Sequence, residues 1–302
     1  MHKGREMDEP HIYGLELGGT KCVALRAVGR RILDRVSIPT TDPDATLGAV
    51  DALFDSWRRQ RPPEALGIAS FGPVGVDRRR SDWGFVLKTP KPGWAGTDIG
   101  GRYRRLLGVE VGFDTDVNAA ALAEARWGGA AGTACNAYVT LGTGIGVGIV
   151  VHGEPVHGWL HPEFGHLKAR RLPGDNFGGS CPFHGDCIEG LISGPAIAAR
   201  SGIPGDRIGD DHPVWDAVVH DLGELLASLI LAVSPERIAL GGGIACARPW
   251  LADRARRAAL LSLGGYFEDL PGNIDSMIGI AGLGTDAGPL GAIAVGDAMT
   301  NG

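Results

Sequence analysis

The chain has 302 residues, with 29 Lys and Arg against 35 Asp and Glu (formal charge −6), 44% hydrophobic and 21% charged residues. That length suits two domains with sizeable cores; the mild acidity argues against a nucleic-acid surface and the apolar content against disorder. No apolar run reaches the ~18 residues of a membrane span, the polar stretch Met1 to Pro10 lacks a signal peptide's core, and the scattered cysteines Cys22, Cys135, Cys181, Cys187 and Cys246 suit a reducing compartment, the cytoplasm.

In chain order, Ile12 to Leu17, Val23 to Val28 and Arg31 to Ser37 read as an antiparallel meander, the last two strands around a Gly29-Arg30 turn. Leu47 to Arg58 has helical spacing, with apolar residues at Leu47, Val50, Leu53, Phe54 and Trp57. Leu66 to Ser70 is a short apolar strand running into Phe71-Gly72-Pro73. Thr97 to Leu107 reads as a helix, Val109 to Phe113 as a strand, and Val117 to Trp127 as a helix. The second half repeats the theme: Ala137 to Leu141 and Gly146 to Val151 are strands meeting at a glycine-rich hairpin. Gly153 to Asp186 shows little periodicity but much Gly, Pro and His, and irregular segments of that length are usually functional. A long helix, Val214 to Val233, precedes strand Arg237 to Leu240, then Gly241-Gly242-Gly243 and a helix from Ala247. Gly282 to Gly296 reads as a glycine-rich turn and an apolar helix. Two related α/β domains facing one cleft are expected: residues 1–118, with a helix at 285–302 packing back on them, and residues 119–284.

Glycine is the compositional outlier, 49 residues, more than twice the usual share of ~7%. In Glu16-Leu17-Gly18-Gly19-Thr20-Lys21, adjacent glycines let backbone N–H groups approach an anion, and Lys21 adds charge. The order is not that of a P-loop; a plain hairpin turn is the alternative. Gly142-Thr143-Gly144-Ile145-Gly146 has the same features without the lysine. Two such loops, each between strands in a different half, are what a nucleotide held by both would require. Asp116, in Asp114-Thr115-Asp116-Val117-Asn118, could take a proton from a substrate hydroxyl or merely cap the following helix. Cys181-Pro182-Phe183-His184-Gly185-Asp186-Cys187, with His166 upstream, offers a Cys₂His₂ set suited to structural Zn²⁺. His152, His157 and His161 read as polar loop residues rather than ligands. Glu163 and Glu189 flank the cluster, where carboxylates can grip sugar hydroxyls or simply be solvated. Gly241-Gly242-Gly243 is a tight strand-to-helix turn or a flat surface for a base.

Together these motifs resemble the ROK family of sugar kinases, over about Ile12 to Gly296. The resemblance rests on Gly18-Gly19-Thr20-Lys21, Gly72-Pro73, Asp116 with Asn118, Gly142-Thr143-Gly144, Glu163-Phe164-Gly165-His166 and Gly241-Gly242-Gly243. Thr89-Pro90-Lys91-Pro92-Gly93-Trp94 and the Cys181–Glu189 stretch resemble its bacterial fructokinase branch. The resemblance implies an actin-like, hexokinase-type ATPase fold and ATP-dependent phosphorylation of a hexose, D-fructose foremost, with Asp116 as catalytic base. It implies ATP phosphates on Gly18, Gly19, Thr20, Lys21, Gly142, Thr143 and Gly144, and adenosine on Gly241, Gly242 and Gly243. Sugar contacts fall on Gly72, Pro73, Thr115, Asp116, Glu163, His166 and Glu189, and zinc on His166, Cys181, His184 and Cys187. Mg²⁺ accompanies ATP, and a homodimer is implied. Glu16 stands where much of the family has Asp, Thr115 where many members have Asn, and His184 where the common zinc loop has Cys. Glucokinase, mannokinase or N-acetylhexosamine kinase specificity is the alternative. A sugar-responsive regulator, which adds a helix-turn-helix ahead of the first loop, is disfavoured because that loop begins at Gly18.

Overall fold

A computed structural model describes residues 9–300, so Met1 to Asp8 of the polar amino-terminal stretch, and Asn301-Gly302 of the last predicted helix, lie outside the described residues. The chain divides into two compact units: one running to Trp127 and including Pro155–His161 and the segment from Asp286, the other formed by Gly128–Glu154 and Pro162–Thr285. The first unit thus runs to Trp127 rather than to residue 118.

In the first unit, β1 (His11–Leu17), β2 (Lys21–Val28) and β3 (Arg31–Pro39) form the meander, followed by α1 (Pro43–Gln60), β4 (Ala65–Ser70), α2 (Gly100–Leu107), β5 (Glu110–Thr115) and α3 (Asp116–Trp127). The sheet order is β3-β2-β1-β4-β5, with β4 and β5 parallel to β1. Asp42 caps α1 by accepting from the Ala45 N–H, and Pro43 fits its first turn, where no N–H donor is needed. The predicted helix from Thr97 begins only at Gly100. Asp98 first bridges to Phe85 in extended form, then accepts from the Gly101 N–H (2.7 Å).

In the second unit, β6 (Cys135–Leu141), β7 (Ile145–Val151) and β8 (Glu154–Pro155) precede α4 (Ile188–Ile192), α5 (Gly194–Ser201) and α6 (Val214–Val233). There follow β9 (Arg237–Gly241), α7 (Gly242–Ala247), α8 (Trp250–Leu263), α9 (Leu270–Met277) and β10 (Ile278–Ile280). The order β10-β9-β6-β7-β8, with β9 parallel to β6 and β10, repeats the first sheet strand for strand. The helix expected from Ala247 starts at Gly242 instead, and Arg248-Pro249 separates it from α8. Glycines read as a break are here the first turn of a helix.

The last helix, α10 (Ala287–Asp297), belongs to the first unit and is buried along nearly its whole length. It lies against bare backbone: a Cβ on Gly67 of β4 would come 1.8 Å from the Ala292 carbonyl oxygen, and one on Gly112 of β5 2.3 Å from that of Val295. Close approach therefore requires glycine at these strand positions. The opposite face of the sheet carries the bulky core, with Tyr13, Phe54, Trp94 and Tyr103 fully buried.

Candidate active site

The first glycine loop is the β1–β2 turn. The Gly18 N–H donates to the Lys21 carbonyl (3.1 Å), and a Cβ on Gly18 would lie 2.7 Å from that oxygen, so the turn itself demands glycine. Gly19 differs: it is exposed, and an added Cβ would meet nothing within 4 Å. Thr40 braces the loop, its N–H donating to the Thr20 carbonyl (3.0 Å) and its hydroxyl to that of Gly18 (2.9 Å).

The same division holds in the second unit. Gly241 must be glycine because the Tyr138 hydroxyl would sit 2.0 Å from its Cβ, and Gly242 has φ +81° against the Leu141 carbonyl, whereas Gly243 is open. Gly142 is open as well, its carbonyl accepting from the Gly194 N–H (2.8 Å) at the start of α5. Each of the three motifs thus keeps one glycine that the fold does not need. Bare backbone of that kind leaves room for a ligand to approach N–H groups. Glu189, in the first turn of α4, reaches this hairpin and accepts from the Ile145 N–H (3.2 Å).

At the head of α3 the cap is Thr115, whose hydroxyl oxygen accepts from the Asn118 N–H (3.1 Å). Thr115, predicted as a sugar contact, is buried in this capping role. Asp116 is released from the cap and, among the described residues, accepts locally from the Val117 N–H (2.9 Å). Burial pushes its carboxyl up to about 6, with the Val117 N–H opposing. Glu16, at the end of β1, is pushed to about 7 by burial and then by the Asp116 charge, with Lys21 and Arg35 pulling the other way. Both carboxyls thus sit well above the ordinary carboxylate range, as groups able to exchange a proton near neutral pH do.

Just before this pair, Asp114 is buried and accepts from the Thr115 N–H (2.7 Å) and the Asn118 amide (2.8 Å), with His157 Nε2 2.9 Å from its second oxygen. His161 is also buried, and its Nε2 accepts from the Val74 N–H (3.1 Å), beside the cis Gly72-Pro73 peptide. Neither histidine is a mere polar loop residue; both dock the Pro155–His161 segment onto the first unit. The available signal was Asp114 itself, since a carboxylate on an apolar strand must find donors.

The predicted metal ligands come together. His166, Cys181, His184 and Cys187 place one donor atom each within 4.8 Å of all the others. The two Nδ1 atoms are 3.3 Å apart, Cys181 Sγ is 3.7 and 3.8 Å from them, and Cys187 Sγ is 3.5 Å from that of His166. A regular tetrahedron around Zn²⁺ with ordinary Zn–N and Zn–S bonds has edges of ~3.3 Å (N to N) and ~3.6 Å (N to S), so the set fits. Local backbone makes this possible. Cys181 and Gly185 bridge to each other, Gly185 and Gly179 have positive φ, and a Cβ on Gly165 would strike the Ile145 carbonyl at 1.9 Å. Burial pushes the Cys187 thiol up to about 11, so that sulfur carries charge here only beside a cation. Glu163 is exposed at the head of the Phe164–His166 turn.

Two sheets of one topology, each opening on a glycine hairpin, are the actin-like, hexokinase-type ATPase fold. The chain belongs to the ROK family, whose model matches residues 12–298. It is 38% identical to a fructokinase of Pediococcus pentosaceus, covering 94% of this chain and 96% of that one. A fructokinase of Zymomonas mobilis is 40% identical, covering 97% and 99%. The structure is similar to that of a ROK family glucokinase from Streptomyces griseus in complex with glucose and AMPPNP (TM-score 0.75, 26% identity, covering 97% and 100%).

Proposed function

We propose that the chain is an ATP-dependent hexose kinase that converts D-fructose to fructose 6-phosphate with Asp116 as general base. The observation that carries this reading is a carboxyl held near pKa 6, freed from capping by Thr115, in a chain similar over nearly its full length to fructokinases. ATP phosphates engage Gly18, Gly19, Thr20 and Lys21 and also Gly142, Thr143 and Gly144, and adenosine lies on Gly241, Gly242 and Gly243. Fructose is gripped by Gly72, Pro73, Glu163, His166 and Glu189.

The fructose 6-hydroxyl oxygen attacks the γ-phosphorus as its proton passes to Asp116; the bond from that phosphorus to the β–γ bridging oxygen breaks, and ADP leaves. The transition state is loose, so catalysis consists mainly of positioning and charge stabilisation. Mg²⁺ bound with ATP would offset phosphate charge, and Glu16, whose carboxyl the Asp116 charge raises, would be placed near it. Zinc on His166, Cys181, His184 and Cys187 is structural, because four protein ligands leave no open position. The proposal includes a cytoplasmic homodimer, on the strength of the resemblance alone. No helix among the described residues is long and apolar enough to cross a membrane.

ADP release measured with Mg²⁺ and ATP across fructose, mannose, glucose and N-acetylglucosamine tests the reading. Fructose is expected to give kcat/KM at least ~10-fold above the others, as a pocket reading hydroxyl positions can enforce. Preference for glucose would move the chain to the glucokinases, and no sugar-dependent release would remove kinase activity altogether.

A further inference from the structure

The segment Thr89-Pro90-Lys91-Pro92-Gly93-Trp94 lies between β4 and α2, and nothing above gives it a task. In the structure it is bound to the first glycine loop. Trp94 is fully buried, packs edge-on against Phe71 (ring centroids 5.3 Å apart) and donates its Nε1–H to the Thr41 carbonyl (2.9 Å). Thr41 follows Thr40, the residue that braces Gly18 and Thr20. Lys91 then reaches the loop directly: its Nζ donates to the Gly19 carbonyl and stands 5.7 Å from the Phe71 ring centroid.

The ammonium is poorly compensated. Among the described residues no carboxylate forms an ion pair with Lys91, and burial lowers its pKa with no acidic neighbour to offset the effect. Four arginines of this unit are ion-paired: Arg26 to Asp34, Arg35 to Asp286, Arg102 to Asp51 and Arg126 to Asp297. A partly desolvated cation without an anion is unfavourable on its own. It is held beside Gly19, whose backbone is open to an incoming group. The one bond to Gly19 uses one of three ammonium donors, leaving two for an anion.

We propose that Lys91 is a second cation of the first phosphate loop, contacting the γ-phosphate of ATP and the phosphoryl group in transfer. The inference rests on the reading of this loop as phosphate-binding. The γ end is singled out because Leu17, Ser70 and Thr115 stand in register at the carboxyl ends of β1, β4 and β5, so the loop after Leu17 and Asp116 after Thr115 leave the same edge of the sheet. ADP lacks the group that Lys91 contacts.

The test compares wild type, Lys91→Met, Lys91→Arg and Gly19→Val in the full-length protein. Binding of ADP and of AMPPNP is measured by calorimetry with Mg²⁺, alongside kcat and the KM values for ATP and fructose. Lys91→Met is expected to weaken AMPPNP at least ~10-fold, as for loss of one charge-assisted contact, and to raise the KM for ATP. ADP affinity and the KM for fructose are expected to stay within about 3-fold, and Lys91→Arg is expected to recover part of the loss. Equal weakening of both nucleotides by Lys91→Met, or of neither, would overturn the proposal. Gly19→Val separates that failure from failure of the loop reading: its side chain has room in the folded protein but would block a phosphate, so it is expected to weaken both nucleotides. If Gly19→Val leaves both unchanged, the loop reading itself falls, and the Lys91 proposal with it.

Discussion

Replacing Asp116 with Asn is expected to lower kcat at least ~10²-fold while fructose still binds, because a positioned general base contributes on that order. Asn keeps the shape and can still accept from the Val117 N–H, but it cannot take the hydroxyl proton. The fold is insulated from the change, since the α3 cap is the Thr115 hydroxyl rather than Asp116. Burial raises the folded-state pKa to about 6, above the unfolded value. Stability linked to this proton is therefore present below the unfolded pKa and lost as pH rises through about 6; near pH 8 the ionised carboxylate opposes folding. Asp116→Asn should accordingly melt at or above the wild-type temperature at pH 8. For the wild type, kcat/KM is expected to climb with pH across about 6 to about 7, the paired range of Asp116 and Glu16, rather than near an ordinary carboxylate value. ADP release, fructose calorimetry and thermal melts check these outcomes. An Asn variant with near-wild-type turnover would remove Asp116 from the chemistry.

Removing zinc with a chelator, or breaking the set with Cys187→Ser, is expected to raise the KM for fructose at least ~10-fold. The KM for ATP should change by less than about 3-fold. The difference follows from what each site hangs on. Glu163 and His166 belong to the segment that carries the candidate metal ligands, whereas the second glycine loop is held by the β6–β7 ladder and by Gly194. The melting temperature should fall, since metal binding at such a site contributes directly to folding. The loop should nevertheless survive in part. Lys168 pairs with Asp186, Arg171 links Asp186 to Asp175, and Arg200 joins Asp175 to the buried Asp221 of α6. Equal rises in both KM values would contradict a pocket-shaping role for the cluster.

Local periodicity and turn chemistry made much of the fold legible. The three-stranded meander, α3 and the 20-residue α6 emerge from runs rich in apolar residues and bounded by turn residues, and β1, β2 and α3 are buried along most of their length. Where glycine opens a helix, as at Gly242, composition misleads: the residue is dictated by the Leu141 carbonyl pressed against it, a neighbour a hundred residues away. The short helices α4, α5 and α9 carry too few turns for a periodic signal. The site was legible where chemistry is written in short spacings, as in the Cys181-to-Cys187 knuckle. It was hidden where function depends on long-range pairing. By sequence the cap of α3 could be Asp116, and the hydrogen bond from the Asn118 N–H shows that Thr115 fills it. His157 and His161 have no local signal, and their partners Asp114 and Val74 lie far away in the chain.

The most direct measurement is a crystal structure of the wild-type protein with fructose, Mg²⁺ and AMPPNP, read for the distance from the fructose 6-hydroxyl oxygen to the Asp116 carboxylate. Catalysis as derived above requires ~2.6–3.2 Å, with the γ-phosphate on the far side of that oxygen. A fructose bound with its 6-hydroxyl turned to another residue, beyond the reach of Asp116, would contradict it.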